Sequence, residues 1–400
     1  MWRFSRCVSL ALVLLLLASC KKEQQRLDIS DDILSADTLI KEIIEEIRFN
    51  YADDIAREKL EIGAINGMLS VLDEHSLYIT NEEFSAYSQS TRGSFLGVGI
   101  EIKRCREGVE VQSVIDESPA ANFGIKPLDV ITSIDGKDVQ DMQLKDIVSR
   151  LSSDSAMKVR LTIARNKTER LDILLKKSVV QIPSIKLNFV DDIAIVKITH
   201  FNENSLLAVS QATYKLIKKD ARGLVLDLRN NPGGILEQAV GVADLFLVDK
   251  KIVELKSRNA DESRLITSDS TDLLSGLPMA VLVNSGTASG AELLAAALGE
   301  NKRAIIIGEK TYGKGSLQTV IPIPGRGAIK LTTAYFISPN GNMIEHNGVS
   351  PDIELTKEEL ADNTTEIPTA NSGSGIYVQD VAIKRAVDLL HGISALSEDG

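Results

Sequence analysis

Residues 279–298, MAVLVNSGTASGAELLAAAL, join an apolar run to a second apolar run through a turn of small residues. The run at 279–283 has the length of a buried strand, and the run at 293–298 consists of strong helix formers. Further apolar runs of strand length, with helical patterns between them, lie at 193–198, 223–228 and 304–308. Such alternation predicts an α/β layer with much parallel pairing, in which functional sites gather at the carboxyl ends of the strands.

The turn inside this stretch carries three hydroxyl groups, on Ser285, Thr287 and Ser289. Ser289 stands at the predicted start of the helix, where free backbone N–H groups and the helix dipole favour a developing negative charge. That position suits a nucleophile, with the Gly290 N–H beside the reacting carbonyl oxygen. From these residues alone, a capping box between Ser289 and Glu292 fits better and needs no catalysis. Ser285 and Thr287 stay open as rival nucleophiles.

A glycine-rich segment at 308–315 begins at the last residue of the apolar run at 304–308. It almost forms a phosphate-binding loop, but Gly315 replaces the hydroxyl that would hold Mg²⁺, and 317–322 predicts a strand. Lys314 lies between two glycines, so other backbone can approach it closely. If it is buried, its pKa falls and it can serve as a neutral general base for a serine. A solvated lysine on a glycine hairpin is the ordinary alternative.

The overall composition argues against several classes of protein. The chain has 400 residues with 56 acidic and 45 basic side chains, a net charge of −11, and therefore lacks the basic surface of a nucleic-acid-binding protein. Its four histidines and three cysteines argue against a multi-histidine metal centre and a disulfide scaffold. Each histidine is predicted to be structural: His75, His200, His346 and His391. A lysine base would explain how a serine hydrolase could work with so few histidines.

The amino-terminal residues have the pattern of a targeting signal. Two arginines precede an apolar run at 8–17 that is too short to span a bilayer. The run ends in Leu17-Ala18-Ser19-Cys20, which resembles a bacterial lipoprotein signal. The resemblance implies removal of residues 1–19, lipid on Cys20, and a net charge of −13, because two arginines leave with the signal. An uncleaved anchor or a plain secretory signal is the alternative.

Changes in residue pattern divide the chain into a multidomain α/β protein. The predicted parts are a signal peptide, a helical amino-terminal segment whose helical pattern covers 29–90, a small domain of short strands, the strand-and-helix core, and a polar linker with a last amphipathic helix. Their bounds are 1–19, 20–92, 93–178, 179–357 and 358–400.

Taken together, these separated motifs resemble the carboxy-terminal processing peptidases, also called tail-specific proteases, over roughly residues 40 to 356. The family's nucleophile lies three residues before a glutamate, which implies Ser289. Its lysine lies in a Thr-Phe/Tyr-Gly-Lys-Gly run, which is 311–315 here and implies Lys314 as the base. Its assisting glutamine follows four residues later, which implies Gln318.

The resemblance also implies an oxyanion hole and a mixed β/α (crotonase-like) core. Residues 226–234, LDLRNNPGG, match a family segment whose glycine supplies one oxyanion N–H, here Gly233 or Gly234. Gly290 would supply the other. The sequence departs from the family at Gly290 and Ala291, where alanine and a second serine are usual.

The domain at 93–178 resembles a PDZ domain. In this family PDZ domains bind substrate C-termini by strand addition. The implied groove residues form a carboxylate-binding loop and one face of a helix, although some of them must also be core: Phe95, Leu96, Gly97, Val98, Gly99, Ile100, Ile147, Val148 and Leu151.

The resemblance thus implies a serine endopeptidase that cleaves envelope proteins near their C-termini after PDZ docking, with no metal or organic cofactor. Its partners would be protein substrates and, through lipid on Cys20, a membrane, with a homo-oligomer left open and no nucleic acid. The location would be the bacterial cell envelope, facing the periplasm. The alternatives are a non-catalytic peptide- or ligand-binding protein on the same fold, and a scaffold in which the PDZ domain matters most.

Overall fold

A computed structural model describes seven stretches of the chain: 38–115, 117–152, 156–166, 169–269, 271–356, 358–359 and 380–398. These residues fall into two compact units that divide between Tyr78 and Ile79. The predicted signal peptide, Cys20 and most of the predicted polar linker lie outside the described residues.

The amino-terminal unit contains two helices, α1 (38–50) and α2 (Arg57–Ser70), and the start of a short strand, β1 (Leu77–Ile79). The predicted helical pattern over 29–90 is therefore interrupted by a turn and by β1. The turn contains Asp53 and Asp54, which favour turns over helix interiors.

The second unit begins with α3 (Asn81–Thr91) and then forms the small domain. A ribbon, β2 (Ser94–Gly97) paired with β9 (Ser178–Gln181), joins that domain to the rest. The domain's sheet has the order β3-β4-β5-β7-β8, with β6 on β5 and two helices, α4 and α5, beside it. The bounds are β3 Ile100–Cys105, β4 Gly108–Val114, α4 Pro119–Asn122, β5 Val130–Ile134, β6 Lys137–Asp138, α5 Leu144–Ser152, β7 Lys158–Arg165 and β8 Glu169–Lys176.

The core domain has a six-stranded sheet in the order β10-β11-β12-β15-β16-β19. Only β10 in this sheet is antiparallel to its neighbour, so the predicted α/β layer with parallel pairing is confirmed. Three helices, α6, α7 and α8, pack together on one face of this sheet. The bounds are β10 Ile185–Val190, β11 Ile193–Ile198, α6 Ser205–Lys218, β12 Gly223–Asp227, α7 Leu236–Asp244, β15 Met279–Val283, α8 Gly290–Glu300, β16 Ile305–Gly308 and β19 Ile353–Glu354.

Helix α8 is buried from Gly290 to Gly299. It packs against α7, β13 and β16, and a helix enclosed in this way is expected to be apolar on nearly all sides, with Glu292 as its one buried charged side chain. Strand β13 belongs to a second sheet in which β18 pairs with β13 and β17, and β13 pairs with β14. The bounds are β13 Lys251–Ser257, β14 Arg264–Thr267, β17 Ser316–Ile323 and β18 Gly327–Ile337. The first sheet and this second sheet thus enclose the helix that begins at the predicted nucleophile.

The last helix, α9 (Val381–Glu398), covers the other face of the six-stranded sheet. Its apolar face, including Ala386 and Leu390, is buried against strand residues such as Ile195 and Val225. The amphipathic helix predicted at the end of the chain is confirmed.

In the described part of the chain, no helix combines the length and the apolar character that crossing a membrane requires.

Candidate active site

Ser289 lies in the turn between β15 and α8, at the carboxyl end of a central parallel strand. Its backbone angles are φ 55° and ψ −120°, a conformation that L-residues rarely adopt. Such a residue costs about 1–3 kcal/mol and persists only where the surroundings fix it. The side chain is half-buried, and it lines a cleft of about 340 Å³.

The carboxylate of Glu292 fixes both this turn and the lysine segment. It is fully buried, and its Oε2 accepts hydrogen bonds from the backbone N–H of Ser289 (2.9 Å) and of Lys314 (2.9 Å). Its Oε1 accepts from the Gly313 N–H (2.7 Å) and from Thr311 Oγ1 (2.5 Å). Burial raises the pKa of the Glu292 carboxyl, and the hydrogen bonds that it accepts act in the opposite direction. One side chain therefore sets the spacing between the predicted nucleophile and the predicted base.

Lys314 and Gln318 line the same cleft as Ser289. Gly315, the residue after the lysine, has no room for a side chain because other backbone lies against it. A Cβ on Gly315 would lie 2.1 Å from the Glu345 nitrogen. Gln318 Nε2 donates to Thr332 Oγ1 (3.2 Å), so Oε1 is the atom with which Gln318 could accept a hydrogen bond from the lysine.

The predicted oxyanion residues also meet at this cleft. We define the oxyanion loop as residues 231–235. A Cβ on Gly233 would lie 2.8 Å from Ser289 Cβ and 2.9 Å from the Gly290 nitrogen, so Gly233 packs against the turn that contains Ser289. The Gly233 N–H already donates to Asn231 Oδ1 (2.8 Å), whereas the next N–H along the loop belongs to Gly234. The geometry therefore favours Gly234 of the two glycines as the second donor.

The rival hydroxyls are placed differently. Thr287 is fully buried, its Oγ1 donates to the Leu228 carbonyl (2.9 Å), and it accepts from the Asn284 N–H (3.0 Å). Ser285 is exposed on the turn and does not line the cleft. Of the three hydroxyls, only Ser289 shares the cleft with Lys314.

His200 lines this cleft too, a position that the sequence did not reveal. Both ring nitrogens are engaged. Nδ1 lies 3.0 Å from Thr199 Oγ1, which itself donates to the Ser184 carbonyl, so Nδ1 is the donor. Nε2 lies 3.1 Å from Asn202 Nδ2 and accepts from it. The imidazole is therefore neutral, with no free nitrogen to take a proton from a serine.

We expect His200 to titrate below its ordinary pKa of 6.5, because burial lowers the pKa of this imidazole. The unfolded chain gains a proton as the pH falls through 6.5 while the folded chain does not, so this stabilisation is present above 6.5 and is lost as the pH falls through the folded-state pKa. NMR titration of the histidine ring protons, with His200→Gln to assign the signal, measures the midpoint. A midpoint at or above 6.5 would contradict the arrangement.

A second unexpected cleft residue is Ser316. Its Oγ is buried and has no hydrogen-bond partner among the described residues. An unpaired buried hydroxyl costs about 1–3 kcal/mol, and such groups in native structures often serve a ligand or a reaction. Ser316 is one of the residues that line the cleft of Ser289 and Lys314.

The predicted PDZ groove residues have mixed surroundings. Ile147 and Leu151 are buried in the core of the small domain, whereas Val148 is 46% exposed. In the predicted carboxylate-binding loop, the first three residues belong to β2, the next two are buried, and the last begins β3: Phe95, Leu96, Gly97, Val98, Gly99 and Ile100. Among the described strands, β3 pairs only with β4 and is therefore an edge of its sheet.

Among the described residues, no group of three or more His, Cys, Asp or Glu side chains is arranged to hold a metal ion.

Comparison with known proteins gives two domain matches. Residues 192–355 match the profile of peptidase family S41, and residues 110–165 match a PDZ domain. The carboxy-terminal-processing protease of Bartonella bacilliformis is 36% identical over 317 residues, which cover 78% of this chain and 73% of that protein. The carboxy-terminal processing protease CtpA of Bacillus subtilis is 33% identical over 328 residues, with 80% of this chain and 68% of that protein covered.

A solved structure supports the fold. A candidate S41 protease from Bacteroides fragilis superposes with a TM-score of 0.51 at 15% identity, and the match covers 81% of this chain and 88% of that one.

Proposed function

Since the chain belongs to peptidase family S41, we propose that it hydrolyses peptide bonds with Ser289 as the nucleophile and Lys314 as the general base. Its family makes it a serine-type carboxy-terminal processing protease. The observation that carries the proposal is the Glu292 carboxylate, which binds the backbone N–H groups of Ser289 and Lys314 through one oxygen. That contact holds the two residues against one cleft.

The proposed reaction proceeds in two halves. Ser289 Oγ attacks the carbonyl carbon of the substrate while its proton passes to the neutral Lys314 amine. The Gly290 N–H, with Gly234 as the second donor, stabilises the oxyanion of the tetrahedral intermediate. The proton then moves to the leaving nitrogen, the peptide bond breaks, and water hydrolyses the acyl-enzyme by the same route. Gln318 Oε1 orients the lysine.

The shape of the cleft supports an extended peptide as the substrate. The cleft shares Leu236, Leu317 and Gln318 with a groove of about 770 Å³. One part of that groove is apolar, with Val240 and Ile266 among its lining residues, and charged side chains such as Glu237 and Asp269 line another part. A peptide chain crossing Ser289 would therefore place an apolar side chain in this groove.

We further propose that the PDZ domain binds the free C-terminus of the substrate. The open edge of β3 offers backbone N–H and C=O groups for strand addition. Helix α5 presents two exposed apolar side chains, Leu144 (40%) and Val148 (46%), to a peptide. The loop at 95–100 would receive the carboxylate.

Replacing Val148 by glutamate should weaken binding of a fluorescent peptide with a free carboxylate by about tenfold or more, because a negative charge replaces apolar contact beside the peptide. Fluorescence anisotropy measures the affinity. Ser149→Glu is the matched control, since Ser149 is exposed on the same helix and the added charge is identical. Equal affinity for both variants, or equal binding of the amidated peptide, would contradict docking through this groove.

Lipid attachment at Cys20 and an envelope location are proposals that the signal pattern supports. Metabolic labelling with an alkyne-bearing fatty acid in a bacterial host should modify the full chain but not Cys20→Ala.

The substrate class is tested by comparing the C-termini of envelope proteins from cells that contain the active enzyme with those from cells that contain the Ser289→Ala variant. New C-termini that require Ser289 would support envelope substrates, and identical C-termini would contradict them.

A further inference from the structure

The ribbon that carries the PDZ domain is fixed at its base by one loop of the core domain. The Ile182 N–H donates to the Gly93 carbonyl (2.8 Å), which closes the ribbon. The Glu203 N–H donates to the Thr91 carbonyl (3.2 Å), and Asn202 Nδ2 donates to the Ile182 carbonyl (3.3 Å). Both segments that connect the PDZ domain to the core domain are therefore hydrogen-bonded to residues 202–203.

Asn202 is held tightly on all sides. It is 1% exposed, and its Oδ1 accepts from the Asn204 N–H (3.0 Å) and from Ser205 Oγ (3.3 Å). Gly93 packs directly on its amide: with φ at 66°, a Cβ there would lie 2.3 Å from Asn202 Nδ2. A movement of the ribbon base must therefore displace the Asn202 side chain or be resisted by it.

The residue before Asn202 binds the oxyanion loop. The Phe201 N–H donates to the Gly233 carbonyl (2.9 Å), and the Ile235 N–H donates to the Phe201 carbonyl (2.9 Å). These two bonds bracket Gly234, whose absent Cβ would lie 2.1 Å from the Phe201 oxygen. The Gly233 carbonyl and the Gly234 N–H belong to one peptide group, so the direction of the Gly234 N–H follows the position of Phe201.

We propose that Asn202 is a positioning residue, which transmits the placement of the PDZ ribbon through Phe201 to the oxyanion loop. The proposal rests on the proposed function, because it needs the oxyanion loop to act in catalysis. The link is short, since adjacent residues, Asn202 and Phe201, make the ribbon contact and the oxyanion-loop contact. Donors of an oxyanion hole must be placed within about 0.5 Å, and a 1 Å displacement can cost about 100-fold in rate.

Gly93→Ala tests the proposal from the PDZ side, outside the catalytic cleft. The added methyl group would push the Asn202 amide from its site. Gly136→Ala is the matched control: Gly136 also has a positive φ, at 77°, and lies in the PDZ domain, but nothing lies within 4 Å of the Cβ position. The two variants share backbone strain and differ in contact with Asn202.

The readouts separate oxyanion stabilisation from substrate binding. The substrate is a short amidated peptide without a free carboxylate, so docking in the PDZ groove does not contribute to the measured rate. A peptide aldehyde reports the oxyanion hole, because Ser289 Oγ bonds to its carbonyl carbon, the serine proton passes to Lys314, and the former carbonyl oxygen becomes a tetrahedral oxyanion. The corresponding peptide alcohol reports ordinary binding. Relative to Gly136→Ala, we expect Gly93→Ala to lower kcat and aldehyde affinity by about tenfold or more, with KM and alcohol affinity unchanged.

Equal kcat in the two glycine variants would overturn the proposal, as would an equal loss of aldehyde and alcohol affinity. If Gly93→Ala does not fold, Asn202→Ala against Gln181→Ala gives the same comparison, because Gln181 binds Asn204 across the same ribbon base (3.3 Å). Failure of the proposed function would show separately, as turnover that survives Ser289→Ala.

Discussion

Ser289→Ala is expected to lower kcat by about 10⁴-fold or more, because it removes the atom that attacks the substrate carbonyl. The fold should survive the change. The backbone N–H of residue 289 still donates to Glu292, and the helix behind it is enclosed by apolar packing. Hydrolysis of casein and of a short peptide ester measures turnover, and circular dichroism with a thermal melt measures the fold.

The matched control for this change is Ser285→Ala. Ser285 lies on the same turn but is exposed and outside the cleft, so its loss should leave kcat unchanged. Undiminished turnover in Ser289→Ala, or an equal loss in Ser285→Ala, would remove Ser289 from the role of nucleophile.

Lys314→Met is expected to lower kcat by a similar factor, about 10⁴-fold. Methionine keeps an unbranched, flexible side chain but cannot accept a proton. Because the backbone N–H of residue 314 keeps its bond to Glu292, the spacing of the two loops should not change. Residues that act as a unit are not additive, so the double variant with Ser289→Ala should be no slower than either single one.

The same base predicts a pH dependence. Only the neutral amine accepts the serine proton, so kcat/KM of the native enzyme should rise with pH through the neutral range. Lys310→Met is the control, since Lys310 is exposed and does not line the cleft. A flat pH profile, or a loss in Lys310→Met equal to that in Lys314→Met, would contradict the assignment.

The strands of the core were predictable because a strand buried on both faces has no polar alternation. The apolar run at 193–198 is β11, Ile193–Ile198, and the run at 279–283 is β15, Met279–Val283. Strand ends were harder to fix. The run at 223–228 continues one residue past the end of β12, Gly223–Asp227, because Leu228 is still buried and its N–H still donates to the Leu282 carbonyl of β15.

The role of Glu292 could be predicted only in part. Its three-residue spacing from Ser289 indicates a contact at the helix start, and its carboxylate does accept from the Ser289 N–H. Its other partners, Thr311, Gly313 and Lys314, lie in a separate segment of the chain. No local pattern encodes contacts between distant loops, so a residue that resembles a simple cap also sets the geometry of the site.

The position of His200 and the outward face of α5 are two further features that the sequence did not predict. The strand-like surroundings of His200 gave no sign of the cleft, because its position depends on the distant bridge between Phe201 and Gly234. In α5 the spacing of apolar residues predicted a helix. Residues four apart share a helical face, so Ile147 and Leu151 enter the core together while Val148 turns outward.

Peptide mapping of the enzyme after reaction with a serine-directed fluorophosphonate tests the central claim most directly. The probe forms a stable bond only with an activated hydroxyl, and mass spectrometry locates it. We predict one adduct, on Ser289, that forms far more slowly in Lys314→Met. An adduct on Ser285, Thr287 or any other residue of the active enzyme, or unchanged labelling of Ser289 without the lysine, would contradict the account.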